Sequence, residues 1–128
     1  MVLDTSALVA VLFDEPERYE FVRTISAARR RLISSATLVE SSIVVEAKRG
    51  EAAGRELDLF LHRATFQTVA VDEEQAQLAR GAWRRYGRGR HPAGLNFGDL
   101  FAYALARARG EPRLFQGNDF ARTDVVPA

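Results

Sequence analysis

Apolar positions recur along this chain with two different periods, and the switches between them outline its elements. Val2-Leu3 is a short apolar start that ends at Asp4, and Leu8, Val9, Leu12 and Phe13 follow at helical spacing. The acidic run Asp14-Glu15-Pro16-Glu17 then places Pro in the first turn of a second helix, with Phe21, Val22, Ile25 and Ala28 on one face. Arg31 to Ser34 predicts a strand. The next helix runs from about Ala36 to Lys48, carries Val39, Ile43 and Ala47 along one face, and stops at Gly50. From Glu51 to Ala64, Leu57, Phe60, Leu61 and Ala64 form an amphipathic stripe. Phe66 to Val71 alternates as a strand does, and Asp72-Glu73-Glu74 favour a helix N-terminus through the macrodipole. That helix carries Ala79, Ala82, Trp83 and Tyr86, of which Trp83 is assigned to the core. Between Gly87 and Gly98 the pattern breaks, with four Gly and one Pro among twelve residues. A last helix spans about Asp99 to Arg109, Arg113 to Gln116 reads as a strand, and Asp124 to Val126 as another.

The resulting order is β-α-α-β-α-α-β-α-α-β-β. Strands joined through helices require crossovers, so the expected class is α/β, with a mostly parallel central sheet covered on both faces. No linker or repeat divides the 128 residues, and one domain spanning 1–128 is expected. In such sheets ligands bind beyond the carboxyl ends of the strands.

Composition narrows the chemistry. With no cysteine there is no thiol nucleophile, zinc thiolate or disulfide framework. The apolar run Ala7–Phe13 is too short to span a membrane, and Met1-Val2-Leu3-Asp4 lacks the basic start of a secretory signal, so a soluble cytoplasmic protein is expected. Eighteen cations against seventeen anions leave a net charge of +1, which argues against bulk coating of nucleic acid but leaves room for a local phosphate site. All the cations but Lys48 are Arg, whose planar fork suits phosphate.

The carboxyl-edge rule gathers acids from distant segments. Asp4 ends the first strand, Asp119 lies just past Leu114-Phe115, Asp99 opens the last helix, and Glu40 falls in the first turn of a helix that follows a strand. Two carboxylates ~4 Å apart repel by about 4 kcal/mol at an effective dielectric near 20. Such a group persists with protons, cationic partners or bound metal, and Mg²⁺ suits it by taking one or two carboxylates beside water and phosphate oxygens. Each acid also has a plainer reading. Asp4 can N-cap the first helix; Thr37-Leu38-Val39-Glu40 and Asn96-Phe97-Gly98-Asp99 have capping-box spacing; Asp119 can be a turn residue. Their shared position at one edge favours the joint site.

Three segments then resemble a known family. Val2-Leu3-Asp4-Thr5-Ser6-Ala7-Leu8 resembles the opening of PIN domains. Leu95 to Ala104 resembles the segment carrying their third acid, and Leu114-Phe115-Gln116-Gly117-Asn118-Asp119-Phe120 their last motif. With the length and element order, the whole chain resembles a VapC toxin of a bacterial VapBC toxin–antitoxin module. The resemblance implies a three-layer α/β/α sandwich and a Mg²⁺- or Mn²⁺-dependent endoribonuclease. It implies metal ligation by Asp4 and Asp99, with Glu40 as a second acid that binds metal or orients water, and Asp119 as a fourth. Thr5 and Ser6 match the small hydroxyls beside the first Asp. It also implies a homodimer and a VapB-type antitoxin, one segment of which fills an apolar groove drawn from Phe21, Ile25, Ile43, Val44, Leu57 and Phe60. The last motif departs from the family: Gln116-Gly117-Asn118 stand where a Thr and an acid are common, which leaves Asp124 as a substitute for the fourth acid. The implied reaction is hydrolysis by metal-activated water, leaving 5′-phosphate and 3′-hydroxyl.

Arg84 to His91 holds four arginines, Tyr86 and His91 in eight residues shortly before Asp99. Arg85, Arg88, Arg90 and His91 are therefore expected to contact RNA, against the alternative of a solvated helix end. His62 reads as a surface residue and Arg29-Arg30-Arg31 as a solvated turn. A non-catalytic RNA- or protein-binding module on the same fold is the alternative function; four filled acid positions favour the nuclease. Aspartyl phosphoryl transfer would want a second Asp where Ser6 stands, and no Walker or G-x-G-x-x-G loop is present.

Overall fold

The computed structural model describes residues 1–117 and 122–128. Its elements run β1 (Val2–Leu3), α1 (Thr5–Leu12), α2 (Arg18–Ala27), β2 (Leu32–Ser34), α3 (Ser35–Arg49), α4 (Glu51–Arg63), β3 (Gln67–Val69), α5 (Glu73–Tyr86), α6 (Phe97–Arg109) and β4 (Arg113–Leu114). The strands form one sheet in the order β3-β2-β1-β4, and every pairing is parallel.

The side-chain period of two builds the layers. Val2, Leu32 and Val69 point to one face and join a core with α5 and α6. Leu3, Ile33 and Leu114 point to the other and join Leu8, Phe21, Ile25, Val45, Leu57 and Leu61 from α1 to α4. The predicted α/β/α sandwich with a parallel sheet is the observed one. Truncating a fully buried residue such as Leu57 or Leu105 to Ala would cost about 2–5 kcal/mol.

Local chemistry sets the element ends. Asp72 caps α5 by accepting from the Gln75 N–H at 2.9 Å. Gly50, at φ 77°, separates α3 from α4, and Gly110, at φ 62°, ends α6 in the left-handed region that glycine tolerates. Several predicted bounds move, and β4 ends at Leu114 rather than Gln116. α6 starts at Phe97, because Asn96 and Asp99 close a capping box around its first turn. β3 shortens to Gln67–Val69, an edge strand with only Val69 buried. Asp124 to Val126 is not a strand: the chain there donates to and accepts from Arg113 through Ala128 N–H and Val126 C=O but forms only an isolated bridge at Pro127. Proline has no N–H to extend that ladder. Among the described residues, no helix is long and apolar enough to cross a membrane.

Candidate active site

The acids converge because three elements deliver them to one edge. β1 ends at Asp4, which caps α1. Its Oδ2 accepts from the Ser6 N–H at 3.1 Å and the Ser6 hydroxyl at 2.7 Å. Ser6 Oγ in turn accepts the Gln116 N–H at 2.9 Å, tying the β4 exit to this corner. Glu40 reaches in from α3, held by a short hydrogen bond from the Thr5 hydroxyl, which also lies 3.0 Å from Ser41 Oγ. Asp99 stands in the first turn of α6, where its carboxylate accepts the Asn96 N–H at 2.9 Å. The capping readings of Asp4 and Asp99 are therefore correct, and capping is also what fixes their orientation. Glu40 is different: its partner is Thr5, and the cap of α3 is Ser34.

Gly98 shows how closely α6 approaches Glu40. A Cβ there would lie 1.4 Å from Glu40 Oε2, so any larger residue would push that carboxylate out of its present position. Burial pushes the Asp99 carboxyl up to about 6; the Asn96 N–H opposes this, and the Asp4 carboxylate adds to it, as Glu40 does more weakly. The Arg113 guanidinium opposes the shift as well, so the rise is chiefly the cost of desolvating the Asp99 carboxylate.

One residue here was missed in the sequence. Arg113 lies opposite Val2 in the β1–β4 register, on the α6 face of the sheet. It is fully buried, and its Nη2 donates to Asp4 Oδ1 at 3.0 Å and to the Asp99 carbonyl at 2.8 Å. Burial pulls its pKa below the ordinary arginine value, while Asp4 opposes that shift. The available signal was an arginine inside an otherwise apolar strand, since a buried guanidinium requires a carboxylate partner.

The other expected residues separate. Asp119 lies outside the described residues. Asp124 is not part of the acidic group: its Oδ1 accepts the Tyr103 hydroxyl at 2.6 Å, and Oδ2 faces Arg107 at 3.3 Å and Arg85 at 3.6 Å. Burial favours its protonation, but the Tyr103 hydroxyl and Arg107 outweigh that and lower its pKa. Arg85 is thereby engaged with Asp124 and with the Tyr86 hydroxyl at 2.9 Å. His91 Nδ1 accepts the Ala93 N–H at 3.0 Å, and its ring sits edge-on to Tyr86. Arg88 and Arg90 extend from the same loop toward Trp83, with the Arg90 guanidinium 4.4 Å from the Trp83 ring centre. Trp83 is half-exposed rather than core, because Ala79, Ala82 and Tyr86 fill the buried stripe of α5. In the expected apolar groove, Phe21 and Leu57 are core and Ile43 is exposed. Two of the expected residues, Ile25 and Phe60, line a cleft of about 590 Å³ between α2 and α4 together with Val22 and Leu59, with Arg31, Glu56 and Arg63 among its polar residues.

Hard carboxylate oxygens are the donors suited to Mg²⁺ or Mn²⁺, and Asp99 with Asp4 or Glu40 supplies the one or two that Mg²⁺ takes. Among the described residues, no three His, Cys, Asp or Glu side chains form a ligand set for one ion. Carboxylates delivered to one edge from β1, α3 and α6 are the observation that fits a cation here.

A parallel α/β/α sandwich with acids gathered over the carboxyl edge of β1 is the architecture of a PIN domain, and the PIN-domain family model matches residues 1–126. The chain belongs to that family. Within it the chain belongs to the VapC group: it is 54% identical over 126 residues to ribonuclease VapC30 of Mycobacterium tuberculosis, covering 98% of this chain and 96% of that one. A solved structure of M. tuberculosis VapC20, described as a sarcin-ricin loop cleaving toxin, superposes with a TM-score of 0.79 at 17% identity, over 99% of this chain and 97% of that one. VapBC2 of Rickettsia felis, bound to a promoter DNA fragment, gives 0.76 at 18% identity, over 98% and 94%.

Proposed function

We propose that this protein is a metal-dependent endoribonuclease toxin that hydrolyses RNA phosphodiester bonds and is neutralised by a cognate VapB-type antitoxin. The observation that carries the reading is the convergence on one edge of Asp4, which caps α1, Glu40, held by Thr5 over Gly98, and the half-buried Asp99 of the α6 capping box, whose carboxyl is raised to about 6. A group kept at such a cost in a VapC-group chain supports a cation site. Bound Mg²⁺ or Mn²⁺ supplies a lowered water pKa and charge stabilisation on the phosphodiester. Asp99 and Asp4 would hold the cation, with Asp119 as the proposed fourth acid. Glu40, fixed by Thr5 and packed over Gly98, is placed to orient water or take its proton. Ser6 keeps Asp4 in its rotamer. Arg113 pairs with Asp4 from beneath and fixes the direction of its carboxylate. Arg88 and Arg90 would meet the RNA backbone.

The relatives' VapBC complexes support a protein partner. The α2–α4 cleft, apolar at Val22, Leu59 and Phe60, is the proposed antitoxin groove. Val39 and Ile43, exposed on α3, support a further protein contact, in line with the homodimer expected of this group.

One observation favours a second reading, a non-catalytic RNA-binding module. Arg113 already neutralises Asp4, as a degenerate site would. Asp99 and Glu40, which have no such cationic partner among the described ion pairs, weigh against it. The deciding experiment is incubation of partner-free protein with total RNA in Mg²⁺, Mn²⁺ or chelator, followed by end analysis. Discrete products with 5′-phosphates, formed only with metal, support the nuclease. Cyclic phosphate ends, or no cleavage of any structured RNA by folded protein, would refute it.

A further inference from the structure

A groove of about 740 Å³ lies between α5 and the first turn of α6, outside the acidic group. Trp83, Leu95, Phe97, Leu100 and Phe101 give it an aromatic and apolar floor. Trp83 is 45% exposed and Phe97 76%, large apolar faces left open side by side. Phe97 and Phe101 pack edge to face with ring centres 5.0 Å apart, and Phe97 remains largely exposed in that contact. Arg80, Arg84 and Arg88 rim the groove, and no Asp or Glu lines it. Among the described residues, no ion pair engages these three or Arg90, which covers the Trp83 ring. Asn96 lines the groove as well, and Asn96 is the residue that caps α6 and holds Asp99. The groove therefore opens beside the acid that anchors the candidate site.

We infer that this groove takes an unstacked nucleobase of single-stranded RNA, seated on Trp83 and Phe97 with the arginines on the flanking phosphates. Aromatic faces with a cationic rim match a base with its phosphodiester, and stacked bases in a duplex cannot offer that face. A second copy of the chain is the competing occupant. A two-fold interface would set this arginine set against itself with no carboxylate in the groove to compensate, so charge opposes it. The inference rests on the nuclease reading and adds to it a requirement for an exposed base near the cut.

Trp83 is the single tryptophan of the chain, so its fluorescence reports on this groove directly. The test titrates partner-free protein, in chelator so that nothing is cleaved, with an oligoadenylate decamer, an abasic ribose-phosphate decamer of equal charge, and a duplex of the same length. The decamer with bases quenches Trp83 and binds more tightly than the other two. Phe97→Ala, an exposed position that leaves the fold intact, weakens that binding about tenfold, the loss expected from one stacked base. Equal quenching by the abasic strand, unchanged affinity in Phe97→Ala, or a protein-concentration-dependent emission shift without RNA would overturn the inference. Metal-dependent cleavage without any quenching would sink it while leaving the nuclease standing. Quenching without cleavage in any metal would sink the nuclease instead.

Discussion

Arg113 and Asp4 form an ion pair of 3.0 Å with side-chain exposures of 0% and 3%, at the point where β4 lies alongside β1. An ion pair this deep is far more costly to break from one side than to remove whole. Arg113→Met should therefore lower the stability of the metal-free protein by about 3–5 kcal/mol in urea unfolding, by leaving Asp4 buried and uncompensated. Asp4→Asn in the same chain should return much of that loss. Additive losses in the double variant would contradict the coupling.

Glu40 and Gly98 make a second, purely steric relationship. In Gly98→Ala the new methyl occupies the space of the Glu40 carboxylate. That carboxylate is the far end of a flexible side chain and can swing away, so the melting temperature should change little. Cleavage should fall about 100-fold, the effect of displacing a positioned group by ~1 Å. An alanine variant with wild-type cleavage would show that Glu40 has no part in the reaction.

The Asp99 carboxyl titrates near 6 in the folded chain, against an ordinary value of 3.8. Because folding raises this pKa, the folded state binds the proton more tightly than the unfolded state does. The contribution of Asp99 to stability is complete below about pH 3.8 and is lost as pH rises through about 6. Asp99→Asn removes that loss. Relative to wild type, the metal-free variant should gain stability between pH 4 and pH 6.5 and hold a constant advantage above. Urea midpoints across this range check it, and a difference that does not vary with pH would contradict the raised pKa.

Asp124 holds Tyr103, Arg107 and Arg85 rather than the acidic group. Asp124→Asn should cost about 1 kcal/mol through its weakened hydrogen bond from Tyr103. It should leave metal-dependent cleavage within about threefold of wild type. Loss of cleavage in a folded Asp124→Asn protein would return it to the site.

The order of elements, the parallel sheet and the positions of Asp4, Glu40 and Asp99 were readable from periodicity and the carboxyl-edge rule. They follow from local pattern and chain direction, which a single sequence contains. Arg113 was not readable as a site residue, since its neighbour across the sheet depends on the β1–β4 register. Trp83 was misassigned because Ala79, Ala82, Trp83 and Tyr86 all fit a broad helical stripe. Only packing against α6 showed that the stripe is centred on the alanines and Tyr86, leaving Trp83 at its margin. The same limit applied in part to the α2–α4 cleft, where the sequence named the lining residues Ile25 and Phe60 but also the buried Phe21 and Leu57, and missed Val22 and Leu59.

The account depends most on one claim, that Asp99 and Asp4 hold a cation used to cut RNA. Mn²⁺ binding and RNA cleavage measured on the same preparations of wild type, Asp4→Asn and Asp99→Asn test it directly. Wild type should bind Mn²⁺ and cleave, and both variants, shown to be folded, should lose both properties together. Cleavage that persists in chelator, or in either variant at the wild-type rate, would contradict the assignment.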